Sequence, residues 1–191
     1  SHRDLVRAFE RLFRRAGVEL AMSQGFHPRP LMTFPDALAL GVEGIDEVMD
    51  LSLAESVDQE DFHKLLADRA PDGLEIKRVE LLREGQRKVK IEKSIYQLPL
   101  PADIDIRTLE TKVQAFAKQE QLVVQRKEKQ VTLDLKESLD GLWLDDGILH
   151  MSVRVVQQSQ LQPRDILEAL GLDAAVREGK ILTRTKIEIT P

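Results

Sequence analysis

Residues 142–156 read Leu142-Trp143-Leu144-Asp145-Asp146-Gly147-Ile148-Leu149-His150-Met151-Ser152-Val153-Arg154-Val155-Val156. Two apolar runs flank an Asp-Asp-Gly corner, and Asp-Gly tolerates the positive φ that a tight hairpin needs. The stretch predicts antiparallel strands over 142–144 and 148–156. Upstream, 94–100, 122–126 and 131–135 also read as strands, and Leu109, Val113 and Phe116 mark a helix ending near Gln119. Downstream, Pro163 opens a short helix carrying Ile166, Leu167 and Leu170 before Gly171. In 181–189, Ile181, Thr183, Thr185, Ile187 and Ile189 alternate with charged neighbours as a closing strand.

The second half is thus strand, helix, several strands, helix, strand. This is the order of a split βαβ, or ferredoxin-like, unit, in which an antiparallel sheet buries one face under two helices and leaves the other free.

The first half gives a related order. Ser1 and Asp4 form a capping-box arrangement, Leu5, Phe9, Leu12, Phe13 and Ala16 repeat at helical spacing, and Gly17 stops the run. Strands are expected over 31–34, 47–53 and 74–82. A helix capped by Ser56 or Asp58 runs through Phe62, Leu65, Leu66 and Arg69. With one strand before Ser1, the two halves match. The expected fold is α+β, two tandem ferredoxin-like units over 1–83 and 94–191. The second is enlarged by an extra hairpin, the first lacks its opening strand in this chain, and the charged stretch 84–93 links them.

Composition bounds the chemistry. The 191-residue chain is 42% apolar with one Trp and one Tyr, enough for an aliphatic core. No segment approaches the roughly 18 apolar residues of a membrane span, and the N-terminus has no signal-peptide core, so no membrane association and a cytoplasmic location are expected. Cysteine is absent, which removes disulfides, thiolate zinc sites, a cysteine nucleophile and cysteine-held clusters. His2, His27, His63 and His150 show no metal-binding spacing. The chain is expected to hold no cofactor of its own.

Net charge is −5, yet residues 1–30 hold six arginines against Asp4, Glu10 and Glu19. Arg7, Arg11, Arg14 and Arg15 fall on one side of the first helix. A stripe of this kind is often a solvated face, but the guanidinium fork suits phosphate better than lysine does. The loop that follows, Ser23-Gln24-Gly25-Phe26-His27-Pro28-Arg29-Pro30, fixes its backbone twice with proline around an aromatic ring, an imidazole and a guanidinium. A stiff structural turn is the plain reading. The functional one is that Phe26, His27 and Arg29 are held out for contact.

The run Ser1-His2-x-Asp4-Leu5, the arginine-rich helix, the 23–30 loop, Phe34 and Gly41-Val42-Glu43 together resemble an uncharacterised bacterial family of radical-SAM-linked proteins. The resemblance covers mainly residues 1–53, and departs from the family pattern where Gly44 stands in place of a serine. It implies company with a radical SAM enzyme or with ribonuclease E/G, in trans or by fusion. Without cysteines this chain cannot carry the radical SAM cluster itself and would be the accessory partner.

Three functions follow as expectations. The first is a non-catalytic RNA-binding or substrate-presenting module using Arg7, Arg11, Arg14, Arg15, Phe26, His27 and Arg29. The second is a metal-independent endoribonuclease with His27 or His2 as base, by analogy of fold. The third is a module that docks a radical SAM partner through its acidic second half. Trp143 reads as a half-buried packing residue. Asp145 and Asp146, adjacent and therefore pointing apart in a strand, are poor partners for acid–base work. Asp36 and Glu43 are placed to orient Arg29 or to serve as turn residues.

Overall fold

The computed structural model describes residues 2–82, 89–156 and 160–190. The fold is α+β, and the chain divides into two compact units, Ser1–Leu40 with Val48–Val89 and Gly41–Glu47 with Lys90–Thr190.

In the first unit, helix α1 (His2–Ala16) buries Phe9, Leu12 and Phe13, three residues that the helical period brings to one side. Its end is closed by Val18 N–H on Phe13 O (2.9 Å) and Gly17 N–H on Arg14 O (3.3 Å), the paired bonds of a Schellman motif. The expected Ser1 cap lies outside the described residues. Strands β1 (Met32–Thr33) and β3 (Asp50–Leu51) pair antiparallel, extended by isolated bridges Leu20↔Leu53 and Met22↔Pro30. Helix α2 (Gln59–Ala67) is capped by Asp58, whose carboxylate accepts from Glu60 N–H and Asp61 N–H. Phe62 and Leu66 of α2 complete a core with the buried face of α1.

The strand expected over 74–82 is not formed. Among the described residues it carries no ladder, and Leu74, Ile76 and Val79 instead pack on the α1/α2 core. Alternation there reports burial without backbone pairing.

The second unit is built on a five-stranded sheet in the order β2-β9-β4-β8-β7. Its members are β2 (Val42–Gly44), β4 (Lys90–Pro99), β7 (Leu139–Asp145), β8 (Ile148–Arg154) and β9 (Leu182–Thr190). β4 lies antiparallel between β8 and β9, β7 is antiparallel to β8, and β2 adds parallel to β9. The 142–156 hairpin forms as expected: Asp146 (φ 43°) and Gly147 (φ 71°) both take positive φ, the two-residue turn that matches strand twist. Strand β4 begins at Lys90, so 90–93 of the expected linker are sheet, while 83–88 lie outside the described residues.

Helices α3 (Ile106–Ala117) and α5 (Pro163–Leu170) bury Leu109, Val113, Phe116, Ile166, Leu167 and Leu170 in the same core as Leu98, Leu149 and Met151 of the sheet. The hairpin β5 (Gln121–Arg126) and β6 (Lys129–Asp134) stands between α3 and β7, followed by the short α4 (Leu135–Ser138). Helix α6 (Asp173–Arg177) precedes β9.

Two buried acid–base contacts fix this unit. Asp165, on α5, accepts from Arg126 Nη1 (2.7 Å), Arg126 Nη2 (2.5 Å) and Gln162 N–H (2.8 Å), which satisfies a carboxylate otherwise costly to bury. That hydrogen bonding raises the Arg126 pKa. Arg184 of β9, 1% exposed, donates Nε–H to Glu47 Oε1 (2.8 Å) and Nη2–H to Glu47 Oε2, with Tyr96 Oη 3.4 Å from Nη1. Burial works against the charge of Arg184, but the Glu47 hydrogen bonds and the Tyr96 contact outweigh it and hold the guanidinium firmly protonated. Glu47 reaches Arg184 by folding over Gly44: a Cβ there would sit 2.6 Å from Glu47 Cγ and Oε1. A close approach thus accounts for glycine at the position where the sequence pattern suggested serine.

Candidate nucleic-acid interface

The arginines of α1 lie opposite its buried face because Arg7, Arg11, Arg14 and Arg15 follow the same helical period as Phe9, Leu12 and Phe13, half a turn away. All four side chains are exposed. Among the described residues Arg7, Arg11 and Arg14 form no ion pair, and Arg15 Nη2 donates to Arg69 O (3.0 Å). Arg11, Arg14 and Arg15 line a shallow open depression with Ala8 and Pro71. Three guanidinium groups lie around this depression, and no carboxylate is among its lining residues.

The 23–30 loop is a closed structure. Ser23 N–H donates to Arg29 O (2.8 Å), Arg29 N–H donates to Ser23 Oγ (3.0 Å), and Leu31 N–H donates to Ala21 O (2.8 Å). These bonds pin the two stems together and push the residues between them outward. Phe26 is 103% exposed, the fullest exposure of any large apolar residue described, and His27 and Arg29 are exposed beside it. An aromatic ring held wholly in water forgoes roughly 1.5–3 kcal/mol of burial free energy.

The sequence-derived residues therefore form two groups within the first unit. Arg11, Arg14 and Arg15 share the depression, with Arg7 one turn before Arg11; Phe26, His27 and Arg29 share the loop. No hydrogen bond, ion pair or ring contact joins the groups among the described residues. Glu43 Oε2 accepts from Thr183 Oγ1 (3.2 Å) within the second unit. The side chain of His2 lies outside the described residues. His27 has no hydrogen-bonding partner among the described residues, whereas a general base is ordinarily oriented by a second group. Among the described residues no cluster of three metal-ligating side chains occurs, and no helix is long and apolar enough to cross a membrane.

One feature escaped the sequence. Trp143, expected as a half-buried packing residue, is 42% exposed, and the partner the sequence did not name is His150, on which it stacks with ring centroids 5.0 Å apart and planes 7° apart. The six residues between them carry the Asp-Gly turn, so hairpin register was the signal that could have paired them.

Comparison with known families places this chain within one. It belongs to the family described as "Uncharacterized protein conserved in bacteria (DUF2344)", whose pattern matches residues 1–163 and so takes in both the arginine helix and the stacked pair. No curated protein matches the sequence.

Proposed function

We propose that this member of an uncharacterised bacterial family is a non-catalytic module that binds single-stranded RNA and presents it to a partner enzyme. The observation that carries the reading is the loop tip: Phe26 fully in solvent, flanked by exposed His27 and Arg29, on a loop closed by the Ser23–Arg29 bonds. A displayed ring offers a stacking face to an unpaired base, and stacking of that kind is tolerant of sequence. The α1 arginines supply the phosphate contacts, since three of them carry no ion pair of their own among the described residues. A −5 chain that sets six of its sixteen arginines within residues 1–30, on one helix and one loop, directs a polyanion to that place.

The partner in this reading is a radical SAM enzyme or ribonuclease E/G, adjoining or fused, as the family resemblance of residues 1–53 implies, and the pair acts in the cytoplasm. The chain's contribution is to hold and position a strand while the partner performs the chemistry. Its test is RNA affinity by fluorescence anisotropy. Phe26→Ala is expected to weaken binding by roughly 5- to 150-fold, the worth of one base–aromatic stack. An affinity unchanged in Phe26→Ala contradicts the reading.

A further inference from the structure

The outer face of the five-stranded sheet carries a row of side chains that runs straight across every strand. Register pairs Trp143 with His150, His150 with Gln97, Gln97 with Thr183 and Thr183 with Glu43. Their strand neighbours Leu142, Leu144, Leu149, Met151, Tyr96, Leu98 and Leu182 turn to the core, so the row faces away from it. With strands about 4.8 Å apart, the row spans about 19 Å. Its members also touch: Trp143 stacks on His150, Gln97 Nε2 lies 3.4 Å from His150 Nδ1, and Thr183 Oγ1 donates to Glu43 Oε2 at 3.2 Å.

Trp143 lies against the sheet because Gly141, two residues earlier on the same face, has no side chain. A Cβ at Gly141 would stand 3.1 Å from Trp143 Cζ3 and 3.5 Å from Cε3. The glycine lets the indole lean back to meet His150, which leaves the ring anchored along one side and 42% exposed. An anchored, half-exposed indole continued by amide, hydroxyl and carboxylate is suited to a planar ring with hydrogen-bonding edges. The ring stacks on the indole, and Gln97, which both donates and accepts, reads its edge.

Charge selects the ligand further. The row itself carries no cation, so it is unsuited to a phosphate backbone and cannot serve a duplex, whose base faces are hidden. About 13 Å away along β4 and β8, four residues from Gln97 and His150, stand Lys93 and Arg154, with Lys186 on β9. Asp140 and Glu188 neutralise two of these three: Lys93 Nζ lies 3.0 Å from Asp140 Oδ2 and 3.3 Å from Glu188 Oε2, Arg154 pairs with Asp140, and Lys186 Nζ lies 3.0 Å from Glu188 Oε1. One positive charge is left over at that end of the face. Base reader at one end and residual cation at the other fit a single strand laid along β4 and β8.

We propose that the Trp143–His150–Gln97–Thr183–Glu43 row is a second RNA contact, a seat for one unpaired nucleobase on the open face of the sheet. It rests on the RNA reading above for the class of ligand, but on none of the same residues. Trp143 is the sole tryptophan of the chain, so its emission reports on this seat directly.

The test titrates the full chain with a labelled single-stranded RNA of about ten nucleotides, following anisotropy of the label and emission of Trp143 together. Adenosine monophosphate is titrated separately against the emission. Quenching of Trp143 that saturates with the anisotropy is expected, together with a roughly 5- to 150-fold weaker affinity in Trp143→Ala and near-retention in Trp143→Phe. RNA that binds with Trp143 emission unchanged, or with Trp143→Ala within twofold of the parent, overturns the seat and leaves the loop-and-helix reading standing. RNA binding and Trp143 quenching that both survive Phe26→Ala overturn the loop-and-helix reading and leave the seat standing, whereas a chain with no RNA affinity overturns both even if the mononucleotide quenches Trp143. If neither ligand has an effect, both fall.

Discussion

Replacing Glu47 by Ala tests how the second unit is held together. The side chain of Arg184 is 1% exposed, and Glu47 engages two of its nitrogens. Removing the carboxylate keeps the guanidinium in the core with Tyr96 Oη at 3.4 Å and the Tyr96 ring centroid 6.0 Å from Cζ. Breaking a buried pair from one side costs about 3–5 kcal/mol, because the surviving charge stays desolvated. The reverse change is milder. Glu47's side chain keeps 23% of its exposure, so in Arg184→Met the carboxylate turns to water and the loss is about 1–3 kcal/mol. For a chain of this size each kcal/mol lowers Tm by roughly 2–4 °C, placing Glu47→Ala about 6–20 °C below the parent. Urea unfolding followed by Trp143 emission reads this unit directly. A loss below about 1 kcal/mol in Glu47→Ala, or a larger loss in Arg184→Met than in Glu47→Ala, would refute the reasoning.

Two further outcomes follow from the same unit. Gly44→Ala puts a methyl 2.6 Å from Glu47 Cγ and Oε1; a loss of about 1–3 kcal/mol is expected by urea unfolding, and no loss in the Glu47→Ala background, where the clash is gone. Hydrogen bonds from Lys93 and Ser152 hold the Asp140 carboxyl below its ordinary value. The contribution of Asp140 to stability is therefore complete above its unfolded pKa near 4 and is lost as pH falls through the lower folded value. Asp140→Asn should flatten that acid limb in thermal melts taken from about pH 5 downward; an unaltered limb would contradict the assignment.

Helices with long apolar periods were legible in the sequence. Phe9, Leu12 and Phe13 on α1, the Asp58 cap of α2, and Leu109, Val113 and Phe116 on α3 all occupy the places their spacing implies. So did the Asp146-Gly147 hairpin, whose backbone requirement is written in its residues. What stayed hidden depends on distant chain. A three-residue strand such as β2 has no period to detect, and its parallel partner β9 lies about 140 residues on. Alternation in 74–82 reflected burial against α1 and α2, which a strand pattern cannot be told from. Helices α4 and α6 span four and five residues, barely one turn.

The two candidate surfaces divide the same way. The arginine stripe follows from helical geometry within one segment, and the loop's closure by Ser23 and Arg29 from residues six apart. The sheet-face row needs register across five strands, with Gln97 and His150 separated by 53 residues. Its ends could be named from the sequence, but not joined.

The central claim is that the α1 arginines and the 23–30 loop bind single-stranded RNA. Its most direct test is the salt dependence of anisotropy-measured affinity between about 50 and 200 mM salt. Each neutralised phosphate adds about 0.7 to the slope, so three or four engaged arginines predict a roughly 20- to 50-fold loss over that range. The combined Arg7→Ala, Arg11→Ala, Arg29→Ala chain should lose affinity and flatten the slope by about 2. An affinity indifferent to salt, or one that survives the triple substitution, would contradict the account.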